Sequence, residues 1–250
     1  MKIKIKTLRK VLLLTIFPFL SLTMAAQTND VYAYSSNKSK KSDSESLNSR
    51  FYVGYFTMPM TIGGGWTRGL DNGTGVAIGV NHEKCLSNDN IPIFLEAGVE
   101  FEYASFNSKD ITYRDDELSL NMYSISVPVN LAFHFEMPST SLTFSPFIGV
   151  NLKYNISGGG KYRFWYDYDY KYDSPYEEDV NLFEEASGYN TVFDHPASKR
   201  VQFGINLGIG VIIDRFNISY KHTFDTTKLW NERMSELKTS MNVISLGYYF

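Results

Sequence analysis

The chain has 250 residues, 24 Lys plus Arg against 27 Asp plus Glu, a formal charge of −3, and 18 Tyr with 18 Phe. No basic patch gathers anywhere, which excludes nucleic acid as a partner class, and the single cysteine, Cys85, excludes an internal disulfide. The length suits one domain of ordinary size, and the aromatic excess needs somewhere to lodge its rings.

Residues 1–26 read as a signal peptide. Lys2, Lys4, Lys6, Arg9 and Lys10 precede the apolar run Val11 to Leu22, and Thr23-Met-Ala-Ala-Gln27 supplies small residues for cleavage after Ala25 or Ala26. Pro18 interrupts the run, which is shorter than the roughly 20 residues of a spanning helix. Without those five bases the formal charge falls from −3 to −8. Residues 27–49 are Ser, Asn, Asp and Lys with little apolar content, too poor to offset the entropy of ordering, and are expected to be a disordered periplasmic segment. A charge-mediated tether to another envelope component is the alternative.

From residue 50 onward the period is two. Alternating runs fall at 51–59, 74–82, 92–105, 118–135, 141–157, 200–213, 216–226 and 240–250. In the fifth, Leu142, Phe144, Ile148, Val150, Leu152, Tyr154 and Ile156 oppose Thr143, Ser145, Gly149, Asn151, Lys153 and Asn155. Only Asp214 and Arg215 separate the sixth run from the seventh, Phe216 to Asp225, so these two read as an antiparallel hairpin.

A soluble sandwich alternates as well, so run length and connections must decide. Most runs meet the roughly 9 to 11 residues that a tilted membrane strand requires, against about 5 or 6 for soluble strands. The connections after runs two, four and six are mostly short, while those after one, three, five and seven are longer. Short periplasmic turns and long outer loops predict an all-β transmembrane antiparallel up-and-down β-barrel of about eight strands over residues 50–250, integral to the outer membrane of a Gram-negative bacterium, with both termini periplasmic.

An eight-stranded barrel holds only side chains. The polar faces therefore line the interior: Glu96, Glu100 and Glu102, Asn130 and His134, Asn151 and Lys153, Gln202 and Asn206, Lys221 and Asp225. Unpaired buried ions are costly, so Lys153 and Lys221 are expected to pair with the glutamates in a packed polar core that leaves no pore.

The chain ends Ile244-Ser-Leu-Gly-Tyr-Tyr-Phe250, with Ile244, Leu246, Tyr248 and Phe250 on one face. This resembles the C-terminal signal read by the barrel-assembly machinery. Ser126-Val-Pro-Val-Asn-Leu-Ala-Phe-His-Phe135, Phe147-Ile-Gly-Val-Asn151 and Gly204-Ile-Asn-Leu-Gly-Ile-Gly210 resemble the small outer-membrane β-barrel domain family common in Bacteroidetes, porin-family or OmpA-like barrels of eight strands. The resemblance implies a fold and a compartment and carries no shared catalytic motif.

The candidate binding surface is the outer loop over 158–199. In it Trp165, Tyr166, Tyr168, Tyr170 and Tyr172 alternate with acids and a lysine, offering large amphipathic contact area for an unidentified surface ligand. An aromatic girdle with a self-packed loop is the plainer account. Nine acids against four bases there make divalent bridging to lipopolysaccharide conceivable, but calcium takes six to eight oxygens and Asp167, Asp169 and Asp173 supply too few, so no metal is assigned. Gly63-Gly-Gly65 and Gly158-Gly-Gly160 lack the Lys-Ser/Thr of a phosphate loop and read as outer hinges. Trp66, Trp165 and Trp230 read as interfacial anchors.

His82, His134, His195 and His222 are the candidates for a catalytic base, and each would need a nucleophile and an orienting group nearby. His222 falls on the lipid face, where a lipid-modifying enzyme's base would sit, but Tyr220 and Phe224 supply no serine. The expectation is therefore a non-enzymatic structural or surface-binding barrel without cofactor, whose partners are outer-membrane lipid, lipopolysaccharide and the assembly machinery. A small channel is the first alternative and a lipid-modifying enzyme the second.

Overall fold

A computed structural model describes residues 49–63, 72–87, 92–109, 117–138, 140–164, 176–184, 197–231 and 236–250. They form β1 (Ser49–Met58), β2 (Met60–Gly63), β3 (Gly73–Ser87), β4 (Ile93–Lys109), β5 (Glu117–Phe133), β6 (Phe135–Glu136), β7 (Leu142–Phe164), β8 (Tyr176–Asn181), β9 (Val201–Ile213), β10 (Phe216–Asp225), β11 (Trp230–Asn231) and β12 (Glu236–Tyr249). Eight long antiparallel strands follow one another in the order β1-β3-β4-β5-β7-β9-β10-β12, and β12 pairs back onto β1. The ladder has no free edge among these eight.

The register shows how the ring closes. A path of paired residues runs Ser49, His82, Ala97, Val129, Val150, Ile205, Phe224, Ser240 and returns to Pro59, ten residues up the strand from its start. Eight strands with that stagger tilt by about 40° and enclose a radius of about 8 Å, room for side chains and little else. The β9–β10 turn is the tightest, and Asp214 takes it with φ of 53°, a left-handed conformation that Asp adopts at less cost than most residues.

Along the lower part of the wall the polarity is that of a membrane barrel. Val150 and Ile244 point outward at 58% and 62% exposure, whereas Lys153 and Glu100 are within 1% of complete burial. Apolar side chains facing out and ions facing in would be untenable in water and are the stable arrangement in lipid.

Higher up, the chemistry of the two faces swaps while the parity of the strand continues. On β5, Ser124 and Ser126 point in and Ile125 out; past Tyr123 the inward residues become Met122, Leu120 and Leu118, and the outward ones Asn121, Ser119 and Glu117. On β4 the change falls at Tyr103, from inward Glu100 and Glu102 to inward Ala104 and Phe106. Tyr55, Tyr103, Tyr123 and Tyr154 thus mark the outer membrane surface as an aromatic ring. Above it the wall stands in water, so apolar groups turn inward.

The expected packed polar interior is accordingly half of what is found. Phe56, Met58, Phe106, Leu118, Leu120, Met122, Tyr162, Met241 and Val243, joined by Leu182 and Leu229 from the outer connections, form an apolar plug in the upper interior. Within the segment over 158–199, the described residues are strand and not loop where β7 runs on to Phe164 and pairs with β8. Gly158 to Gly160 lie within β7 and form no hinge. Glycine is needed there because a Cβ at Gly160 would meet the Ser119 carbonyl oxygen at 1.8 Å. A bulge that skips Ile156 resets which β7 residues face in, and Arg200 donates to the carbonyls of Asn155 (3.3 Å) and Ile156 (2.8 Å) that it frees.

Candidate functional site

Three groups of side chains bear on function: the polar interior, the outer β5–β7–β8 face and a polar cluster on the outer wall. The interior begins at the β12–β1 seam, where the Arg50 guanidinium lies 4.0 Å from Glu83 and 3.7 Å from Glu96. It donates to the Tyr249 hydroxyl at 3.2 Å, and that hydroxyl donates in turn to Glu83. Asn130 donates to Glu96 (3.3 Å), Asn206 to Asn130 (3.1 Å) and Thr223 to Asn206 (2.9 Å), carrying the network across the lumen.

One level up, Tyr52 donates to Glu100 at 2.5 Å and Lys221 holds both oxygens of that carboxylate at 3.0 and 2.8 Å. Glu102 is met by Lys153 at 3.0 Å and by the Ser126 hydroxyl at 2.9 Å. Above these, Ser124, Asn155, Gln202 and Thr239 form a chain that ends on Asp225. All eight wall strands contribute to this network. Lone ions at such burial would be costly, and bonding on several sides offsets that cost.

Small residues set beside large ones make this filling fit. Gly79 stands where a Cβ would lie 2.4 Å from the Tyr52 ring, and Gly208 where it would lie 2.2 Å from Phe147. Glu96, Glu100, Glu102, Lys153, Lys221 and Asp225 all sit in the network. Arg50, Glu83, Tyr52 and Tyr249 were not anticipated. Their signal was present, since each holds the inward parity of its strand, but Arg50 and Glu83 fall just outside the alternating runs 51–59 and 74–82.

On the outer face above the tyrosine ring, Glu117, Ser119, Asn121, Lys161, Arg163 and Asp179 line a shallow cleft. Glu177 accepts from Lys161 at 2.7 Å and from Arg163 at 3.1 Å. The Lys161 hydrogen bond holds the Glu177 carboxyl below its usual range, and the same bond raises the Lys161 ammonium. Trp165, Tyr166, Tyr168, Tyr170 and Tyr172, the acids Asp167, Asp169 and Asp173, and also Trp66 and His195, lie outside the described residues. Residues 1–48 lie outside them too.

The third cluster is on the outer wall. His222 Nδ1 lies 2.7 Å from Asn242 Oδ1, which also accepts from the Tyr220 hydroxyl at 2.8 Å, and Asn242 donates to Thr57 at 3.5 Å. Among the described residues no hydroxyl hydrogen-bonds His222 directly, and no carboxylate orients it. His82 does contact a hydroxyl, that of Ser49 at 3.1 Å, again with no carboxylate behind it among the described residues. His134 stacks on Phe94 at 4.1 Å between ring centres. Ile244, Leu246, Tyr248 and Phe250 all project outward at the seam.

No curated protein matches the chain. Similar solved structures include Ail, the attachment invasion locus protein of Yersinia pestis, solved with the heparin analogue sucrose octasulfate: 12% identity, 81% of this chain and 98% of that one, TM-score 0.35. Neisserial surface protein A matches at 11% identity over 80% of this chain and 97% of its own, TM-score 0.39. OprG of Pseudomonas aeruginosa matches at 11% over 81% and 96%, TM-score 0.37. A model of the outer membrane protein beta-barrel domain matches residues 29–231. With a closed ring of eight strands, an apolar outer wall and that match over most of its length, the chain belongs to the outer membrane protein beta-barrel domain family and is an integral protein of the Gram-negative outer membrane.

Proposed function

We propose that this barrel is a non-conducting, non-enzymatic surface protein that works through its outer connections. The observation that carries the reading is the filled lumen: a hydrogen-bonded ion network in the lower part and an apolar plug above it. A channel needs a continuous water path, and both layers oppose one. Dewetted apolar constrictions block ions even where side chains leave a gap.

What remains for function is the exterior above the tyrosine ring. There the β5–β7–β8 face leads into the Tyr-rich segment from Trp165 to Tyr172. Alternating Tyr and acid offers rigid contact area with hydrogen-bonding tips, suited to a protein or glycan surface. Within the same proposal, the outward face of Ile244 to Phe250 serves assembly, and the likeness of Ser126 to Phe135 supports kinship with the small barrels common in Bacteroidetes.

Planar-bilayer recordings of the purified, heat-modifiable protein test the first half. Silence in concentrated KCl is expected, and reproducible single-channel steps would overturn it. Deletion of residues 165–175 should leave folding intact and abolish capture of surface ligands from whole-cell or glycan panels, whereas unchanged capture would remove the binding role from that segment.

A further inference from the structure

The cluster of Tyr220, His222, Asn242 and Thr57 is absorbed by neither the interior network nor the outer loops. It sits on the lipid-facing wall where β10, β12 and β1 adjoin, with Tyr220 and Phe224 on the same strand 44% and 50% exposed. At about 2.5 Å of height per residue in a tilted strand, His222 lies about 15 Å above Phe216 of the lower rim and about 5 Å below Phe224. Tyr55, one of the ring tyrosines, lies two residues below Thr57 on β1. The cluster therefore meets lipid near the outer boundary of the hydrocarbon, where acyl chains join their headgroups.

Its hydrogen bonds fix its polarity. The Asn242 side-chain oxygen can only accept, so His222 must donate to it from Nδ1. With Nδ1 as the donor, Nε2 is the nitrogen left to accept, with no hydrogen-bond partner among the described residues, and the Thr57 hydroxyl, on the other side of Asn242, keeps a proton to give. An acceptor and a donor flanking Asn242 at this depth match a lipid that carries both. Amide-linked or 3-hydroxylated acyl chains do so through N–H or O–H and C=O, whereas the ester linkages of diacyl glycerophospholipids offer only acceptors.

We infer that Tyr220, His222, Asn242 and Thr57 form a binding site for the linkage region of an outer-leaflet glycolipid whose acyl chains are amide-linked or hydroxylated. His222 Nε2 accepts from the amide or hydroxyl, and Thr57 donates to the neighbouring carbonyl. Asn242 and Tyr220 position the imidazole and set its tautomer.

The test compares two synthetic monosaccharide phosphoglycolipids that share one headgroup. One bears an N-linked 3-hydroxyacyl chain and the other an ester-linked, unsubstituted chain. Native mass spectrometry of the full-length protein in mild detergent, titrated with each, should show about fivefold tighter binding of the first, as expected for one added hydrogen bond. His222→Phe and Asn242→Leu should each erase that preference while keeping heat-modifiable mobility, since both positions face outward. In ¹⁵N-histidine spectra the Nε2 resonance of His222, assigned with the variant, should be unprotonated and should shift only with the first lipid. Equal binding of the two lipids, a preference that survives both variants, or a protonated Nε2 would each overturn the site. So would a doubled mass that His222→Phe abolishes, which would give the cluster to a second copy of this chain.

Discussion

The Tyr249 hydroxyl on β12 donates its hydrogen to Glu83 on β3, reaching past β1, and Arg50 of β1 lies over the Tyr249 ring at 5.4 Å. The first and last wall strands are therefore locked by side chains inside the barrel as well as by the backbone ladder of the seam. Arg50 is the only cation within ion-pair distance of Glu83 and Glu96 among the described residues, so one guanidinium serves two carboxylates.

That imbalance predicts unequal losses for two changes at one place. Arg50→Met leaves two buried carboxylates unpaired and should cost about 3–5 kcal/mol. Glu83→Gln removes one competitor and keeps an oxygen for Tyr249, so it should cost less than about 1 kcal/mol. Urea titration in lipid vesicles, followed by the heat-modifiable gel shift, checks the pair. Equal losses from both variants would show that Arg50 acts through packing.

The Lys153–Glu102 contact, 3.0 Å and almost wholly buried, permits a cycle. Lys153→Met alone should destabilise by about 3–5 kcal/mol, because it strands Glu102. Lys153→Met with Glu102→Leu should recover most of that loss, since a well-packed apolar pair replaces a buried ion pair at little net cost. A double variant no more stable than the single one would mean that the Ser126 hydroxyl, left without its acceptor, dominates the site.

Much of this was legible in the chain. The period of two, the run lengths and the alternation of short with long connections fixed an eight-stranded barrel, because in lipid every backbone polar group must be paired and only a closed ladder does that with strands. The inward polar residues followed from parity alone. The apolar plug did not, although its signal lies in β5: Leu118, Leu120 and Met122 share the parity of Ser124 and Ser126, and the hydrophobic phase inverts at Tyr123. Reading one uninterrupted pattern per strand hides such an inversion. The His222 cluster was half legible, since Tyr220 and His222 are near in sequence, but Asn242 and Thr57 arrive only through the β10–β12–β1 register.

Above the membrane, the exposed Lys161–Glu177 contact ties β7 to β8. The Glu177 carboxyl is lowered when folded, so its contribution is present above the ordinary value of 4.5 and is lost as pH falls through the lower folded value. The Lys161 ammonium is raised when folded, so its contribution is complete below 10.5 and is lost as pH rises through the higher folded value. Amide hydrogen exchange across β8, after correction for intrinsic rates, should therefore be slowest between those limits and quicken in acid. Glu177→Gln should flatten the acid arm, and an acid arm unchanged in that variant would assign the quickening to another group.

Two leucines, one on each side of the wall, separate packing from lipid contact. Leu118 is in the plug at 2% exposure, while Leu152 faces lipid at 44%. Leu118→Ala removes buried methyl groups and leaves a cavity that Phe106, Leu120 and Tyr162 cannot fully close, for a loss of about 2–5 kcal/mol. Leu152→Ala gives up transfer free energy alone, because fluid acyl chains refill the space, so the cavity part is missing and the loss should be smaller. If the two variants lose equal stability in the same vesicles, the upper interior relaxes as freely as lipid does and the plug is not a packed core; a larger loss at Leu118 means that the apolar upper interior is rigid, as a seal against ions requires.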